Sequence, residues 1–199
     1  MLIPRLILSI HNSSGEQVFQ NQDSLAGHGL LLEISKMDRT EGLNKAHEKK
    51  KICLQVGIKL LLDNLEIAAL VNADGVCCGI DDDMHGRAKD VLGEDKLVGG
   101  TAHTIQDVAN LYEEGMVDFV VLESFMDEGG SENILGKQKA QVIIDDARIM
   151  GYDIPILLKG GIDGSNAVEA LRTGAYGIVT RHLSHIESLK KELLNFPIR

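Results

Sequence analysis

The sequence predicts a closed (β/α)8 barrel in one domain spanning residues 1–199. Short apolar runs alternate with helix-forming segments eight times along the chain, and no Pro-rich or Ser-rich linker or change of composition interrupts the alternation. One stretch shows the repeating unit complete. Ile154 to Lys159 is an apolar run that stops at Gly160-Gly161, a helix opened by Asp163 or Ser165 follows and closes at Gly174, and Ala175 to Thr180 is a second apolar run. Such a unit builds a parallel sheet. An open doubly wound sheet is the alternative architecture, and 199 residues lie at the lower end of the barrel range.

Taken in order, Leu6–Ile10 is the first strand, followed by a polar stretch and a weak helix at Ser24–Gly27. Leu30–Ile34 is the second, with a helix over Thr40–Gln55 that ends at Gly57. Ile58–Leu62 is the third, with a short helix over Asn64–Val71, and Gly75–Gly79 is the fourth, with a helix over Asp82–Leu92. Lys96–Gly99 is the fifth strand. Thr104 is placed to cap the next helix, which runs to Glu114 and stops at Gly115. Val117–Leu122 is the sixth strand, its Val-Val-Leu run apolar on both faces as a buried parallel strand should be, and after an acidic, Gly-rich loop a long helix covers Asn133–Met150. The closing helix is Leu183–Leu194.

Composition sets limits on function. With 20 basic against 30 acidic residues the net charge is −10, which repels nucleic acid and anionic membranes. No apolar run reaches the ~20 residues of a membrane span, and Met1–Ile10 reads as a strand, not as a signal peptide. Three cysteines, two of them the adjacent Cys77 and Cys78, fit a reducing cytosol better than a disulfide framework. Tryptophan is absent, so Leu, Ile, Val and Ala must build the core.

In a barrel the chemistry gathers at the C-terminal ends of the strands, and a phosphate commonly binds between the loops after strands seven and eight. Those loops carry Lys159, Gly160 and Gly161, and Thr180 and Arg181. Glycines just past a strand let backbone approach a ligand, the next helix N-terminus offers N–H groups, and Arg181 adds charge. The structural alternative for Gly160-Gly161 is a tight turn alone. The same rim collects Lys36, Asp63, Asp81 to Asp83, Thr101, His103 and Glu123. Asp63 and Asp82 together would suit Mg2+, which takes one or two carboxylates and fills its shell with water and phosphate oxygens; the alternative is that both cap helices. His103 is a general acid or base, or a structural residue before a helix. By strand alternation one of Cys77 and Cys78 faces the barrel interior, and both read as small core residues.

From Ile58 to Ile186 the chain resembles the thiamine phosphate synthase and TenI superfamily. The resemblance is carried by Leu60-Leu61-Leu62-Asp63, Ala73-Asp74-Gly75-Val76, Gly99-Gly100-Thr101-Ala102-His103-Thr104, Val117-Asp118-Phe119, Ile154 to Asp163 and Ala175-Tyr176-Gly177. It implies a small (β/α)8 barrel that joins a hydroxymethylpyrimidine diphosphate to a thiazole phosphate, with Mg2+ on the diphosphate. By the same resemblance Asp63 and Asp82 match the magnesium carboxylates, Thr101 matches a small hydroxyl residue near the pyrimidine, and Lys36 matches a lysine that ends the second strand. The thiazole phosphate would lie around Gly160-Gly161 and Thr180-Arg181, and His103 aligns with the histidine of the TenI segment.

The departures lie at the pyrimidine end. Leu62 replaces an asparagine, Cys77 a histidine and Ile80 a glutamine, and the glutamine and arginine of the second strand fall on residues such as Leu32, Glu33 and Ile34. A Gly-Pro segment after strand six is replaced by Glu123 to Glu128, which brings negative charge to where a diphosphate should bind, with Lys137 too far along the chain to compensate. Three readings follow: a divergent synthase that uses Mg2+, a TenI-like isomerase of a thiazole phosphate with His103 as base, and a phosphate-binding or assembly barrel without catalysis. The implied partner is a phosphorylated small molecule, with a homo-oligomer left open.

Overall fold

The computed structural model describes residues 2–11, 26–79, 85–115, 117–126, 134–182 and 186–196. Eight strands run parallel, and β8 closes on β1: β1 Leu6–His11, β2 Gly29–Glu33, β3 Lys59–Leu62, β4 Gly75–Cys78, β5 Leu97–Ala102, β6 Phe119–Leu122, β7 Ile156–Lys159 and β8 Gly177–Thr180. Among the described residues seven helices alternate with them: α1 Arg39–Val56, α2 Leu65–Leu70, α3 His85–Leu92, α4 Ile105–Glu113, α5 Gly136–Ile149, α6 Ala167–Arg172 and α7 Ile186–Asn195. Of the expected weak helix at residues 24–27, Ala26 and Gly27 form a turn, and the rest lies outside the described residues. So do the beginning of the helix expected from Asp82, and Asp82 itself.

Local chemistry explains the helix ends. Asp38 accepts from Thr40 N at 2.9 Å to start α1, and Gly57 ends it in the left-handed conformation at φ 70°. Thr104 and Asp107 form a reciprocal capping box at α4. The cap of α2 is Asn64, whose Oδ1 accepts from Ile67 N at 2.9 Å. The helix-cap alternative for Asp63 is therefore wrong, because the neighbouring amide does that work.

Two apolar layers hold the barrel. Ile7, Leu31, Leu61, Cys77, Leu97, Phe119, Val121, Leu157 and Val179 fill its interior, while the alternate residues of each strand pack against the helices. Cys77 is the inward cysteine and Cys78 the outward one. β5 runs three residues past the expected stop at Gly99, and the glycine there serves packing instead of ending the strand. A Cβ on Gly99 would lie 2.3 Å from the Phe119 ring, so the glycine is strand backbone that leaves room for the largest interior side chain. Thr101 consequently sits inside the sheet, paired with Val121.

Candidate active site at the barrel mouth

The inward positions of the strands change from apolar to polar as the chain climbs. Ile7 is followed at two-residue spacing by Ser9 and His11, Leu31 by Glu33 and Ser35, Leu61 by Asp63, Val121 by Glu123, Leu157 by Lys159 and Val179 by Arg181. Period-two alternation carries each of these side chains to the same end of the barrel. They line a cavity of about 610 Å3 with Lys36, Cys77, Gly79 and Thr101.

Lys159 is the centre of this cavity. Its Nζ is 2.9 Å from Glu33 Oε1 and 2.8 Å from Glu123 Oε1, so one ammonium bridges the ends of β2 and β6. Glu33 also accepts from Ser9 Oγ at 2.8 Å and from the Arg181 guanidinium at 2.7 Å. Burial by itself would raise the Glu33 pKa, but the Lys159 charge, the hydrogen bonds from Lys159 and Ser9, and the Arg181 charge outweigh it and hold the carboxyl at about 2. Burial works against the Lys159 charge in the same way, and the two glutamates reverse it, so its pKa is raised. The acid after β6 is therefore compensated, by Lys159 from the next strand and not by Lys137, which pairs with Glu169 at 3.0 Å.

Asp63 faces the cavity at the end of β3 while tying down the loop after β2. Its Oδ1 accepts from Ile34 N at 2.7 Å and Ser35 N at 3.0 Å, and its Oδ2 from Ser35 Oγ at 2.8 Å. Among the described residues no group of three or more His, Cys, Asp or Glu could enclose a metal ion. A single hard carboxylate beside an open cavity suits Mg2+ held mainly by water and phosphate oxygens, so Asp63 fits that ion as one ligand. The expected second ligand, Asp82, lies outside the described residues.

The loops after β7 and β8 are joined by side chains. Thr180, 2% exposed, donates its hydroxyl to Ile162 O and accepts from His182 N at 3.0 Å. Asn166 reaches back over the glycine turn, donating to Gly161 O at 2.7 Å and accepting from Asp163 N at 2.9 Å. Gly160 has φ 114°, and a Cβ there would stand 2.9 Å from Phe125 N, in the loop after β6. The glycine pair thus has a packing role as well as an open backbone: Phe125 N donates to Lys159 O at 2.9 Å and Met126 N to Gly160 O at 3.1 Å.

Of the expected site residues, Lys36, Asp63, Thr101, Lys159 and Arg181 meet at the mouth. His103 does not line it. It lies in an adjoining groove between α4 and α5, with Thr104, Glu123 and Val142. Glu33 and Ser9 were not singled out from the sequence as site residues. A lone polar residue in an otherwise apolar strand, at an inward position, was the available signal.

Comparison with known proteins agrees with the barrel fold and identifies the family. The thiamine-phosphate synthase of Flavobacterium psychrophilum is 32% identical over 142 residues, covering 69% of this chain and 68% of that protein. That of Bacillus licheniformis is 27% identical over 180 residues, covering 86% and 78%. The fold is similar to that of thiamine phosphate pyrophosphorylase from Pyrococcus furiosus, with TM-score 0.79 and 18% identity over 96% of this chain and 95% of the other. It is also similar to that of 3-hexulose-6-phosphate synthase from Salmonella typhimurium, with TM-score 0.64 and 16% identity over 97% and 100% of the two chains. The family model described as Thiamine monophosphate synthase matches residues 14–182, and the chain belongs to that family.

Proposed function

We propose that this chain joins a hydroxymethylpyrimidine diphosphate to a thiazole phosphate, forming thiamine phosphate and releasing diphosphate. The observation that carries the reading is the polar mouth cavity, with Asp63 and Thr101 on one side and Lys159 and Arg181 on the other, in a chain of this family. The thiazole phosphate would bind at Gly160, Gly161 and Arg181, on the short segment that Thr180 and Asn166 hold in shape. Asp63, with Asp82, would hold Mg2+, whose charge offsets that of the diphosphate.

The chain's own residues supply orientation and a dry floor. Leu31, Cys77 and Val121 close the cavity from below and keep water from the interior. Lys159 neutralises Glu123, so the acidic segment after β6 presents less repulsion to an incoming diphosphate. Thr101 and Lys36 stand at the cavity wall, where they can orient the pyrimidine and its diphosphate. The isomerase reading, with His103 as base, has less support because His103 lies in the adjoining groove. Buried free thiols at Cys53, Cys77 and Cys78 fit a reducing cytosol as the compartment.

The test is turnover by the purified full chain, given both substrates with Mg2+, read as thiamine phosphate formed and diphosphate released. Formation of both in equal amounts is expected. No product, with a thiazole phosphate still binding, would leave the non-catalytic phosphate-binding barrel as the reading.

A further inference from the structure

Glu33 is held by an ammonium, a guanidinium and a hydroxyl. Its two carboxylate oxygens receive three donors, two from other strands and one from the loop after a third: Ser9 of β1 at 2.8 Å and Lys159 of β7 at 2.9 Å on Oε1, and Arg181 after β8 at 2.7 Å on Oε2. An ammonium, a guanidinium and a hydroxyl converging on a planar two-oxygen group is how proteins grip phosphate and carboxylate ligands. Here the gripped group belongs to the chain, and it is 14% exposed in the wall of an open cavity.

We propose that Lys159, Arg181 and Ser9 form an oxyanion site which the protein fills with its own Glu33, and that Glu33 thereby determines which anions the mouth accepts. The proposal rests on the mouth being the reaction site, and it names the residue that sets the mouth's selectivity. The charges of Lys159 and Arg181 are balanced by those of Glu33 and Glu123, so the four together offer a small anion no net attraction. A singly charged ion cannot compete with a carboxylate already held by two cations. A diphosphate or phosphate ester brings more charge, makes further contacts with the loops after β7 and β8, and can displace the Glu33 side chain from the exposed Arg181. The class admitted is therefore multiply charged phosphate compounds, and the class refused is simple carboxylates and monovalent inorganic anions.

The test uses inorganic pyrophosphate and acetate as probes, titrated calorimetrically into the full chain at low ionic strength. Glu33→Gln keeps the side-chain shape and an acceptor for Lys159 and Ser9, and it leaves Lys159 paired with Glu123 at 2.8 Å, so the fold has what it needs. Removing a full charge from within hydrogen-bond reach of both cations is expected to tighten pyrophosphate binding by at least about tenfold. The gain should shrink as salt is raised, and most of it should vanish in Glu33→Gln/Arg181→Met. Acetate should give no detectable heat with the wild type and should bind the variant. Glu33→Met carries the same expectation and is read if Glu33→Gln does not fold. Equal or weaker pyrophosphate binding by a folded variant overturns the proposal and makes Glu33 a residue that merely positions Arg181. Because the readout needs no turnover, a wild type without synthase activity whose variant binds more tightly would sink the synthase reading alone. An active wild type whose variant shows no gain would sink this inference alone.

Discussion

Lys159 and Glu33, from non-adjacent strands of the barrel, are bound Nζ to Oε1 at 2.9 Å, and the mouth is built on that pair. β7 and β2 are not neighbours in the sheet, with β8 and β1 standing between them on one side. The pair spans the opening and carries Arg181, Ser9 and Glu123 with it.

The pair should be visible in the pH dependence of stability. Glu33 is held at about 2 against an ordinary 4.5, so the folded state favours its charged form. Its contribution is complete above 4.5 and is lost as pH falls through about 2; that of Lys159, whose pKa is raised, is complete below its ordinary value and lost only at strongly alkaline pH. Urea unfolding of the wild type should lose about 2–3 kcal/mol from this group across that acid window, and Glu33→Gln should lose less. Parallel acid limbs for the two proteins would show that the network adds no stability.

Gly99→Ala should destabilise by about 1–3 kcal/mol through overpacking, because the new methyl meets the Phe119 ring at 2.3 Å. Phe119→Leu in the same chain should recover part of the loss. A double-mutant cycle with no coupling between the two sites would contradict the steric account of Gly99.

Asp63→Asn should abolish pyrimidine transfer while thiazole phosphate binding survives. The asparagine oxygen can still accept from Ile34 N and Ser35 N, so the loop after β2 should cost only about 1 kcal/mol of stability. His103→Ala, outside the mouth, should lower synthase turnover by less than about threefold, a loss small on the scale of general acid–base catalysis. The reverse pattern would favour the isomerase reading.

Cys77 lines the mouth, yet burial pushes its thiol up to about 12, and Cys53 is likewise raised to about 12. Neither should react with a thiol reagent at pH 8 in the folded protein, and both should react in denaturant. Cys77→Ala should leave turnover within about a factor of two, since a buried neutral thiol supplies no nucleophile. Rapid labelling of native Cys77 would show that the barrel floor is open to solvent.

Sequence patterning was enough to specify the barrel and the end of it at which the polar residues collect. Apolar runs and helix caps are local signals, and eight repeats of one unit leave few ways to pack. Hence the helix start at Thr104, the strand ends at Asp63 and Lys159 and the glycine turn were all legible, whereas the cap at Asp38 was not singled out. The pairing of side chains came from the closed barrel. Whether Glu33 faces inward depends on strand register, since a shift of one residue sends every side chain to the other face. That Lys159 compensates Glu123 depends on two strands closing to within 2.8 Å between side chains 36 positions apart in the chain. Asp63 was correctly placed at the rim, but its hold on Ile34 and Ser35 comes from a loop 29 and 28 positions away. His103 shares a segment with Thr101, yet β5 delivers Thr101 to the cavity and the start of α4 carries His103 to the groove. Charge pairing over such separations is set by barrel closure, a global constraint that no local pattern of residues encodes.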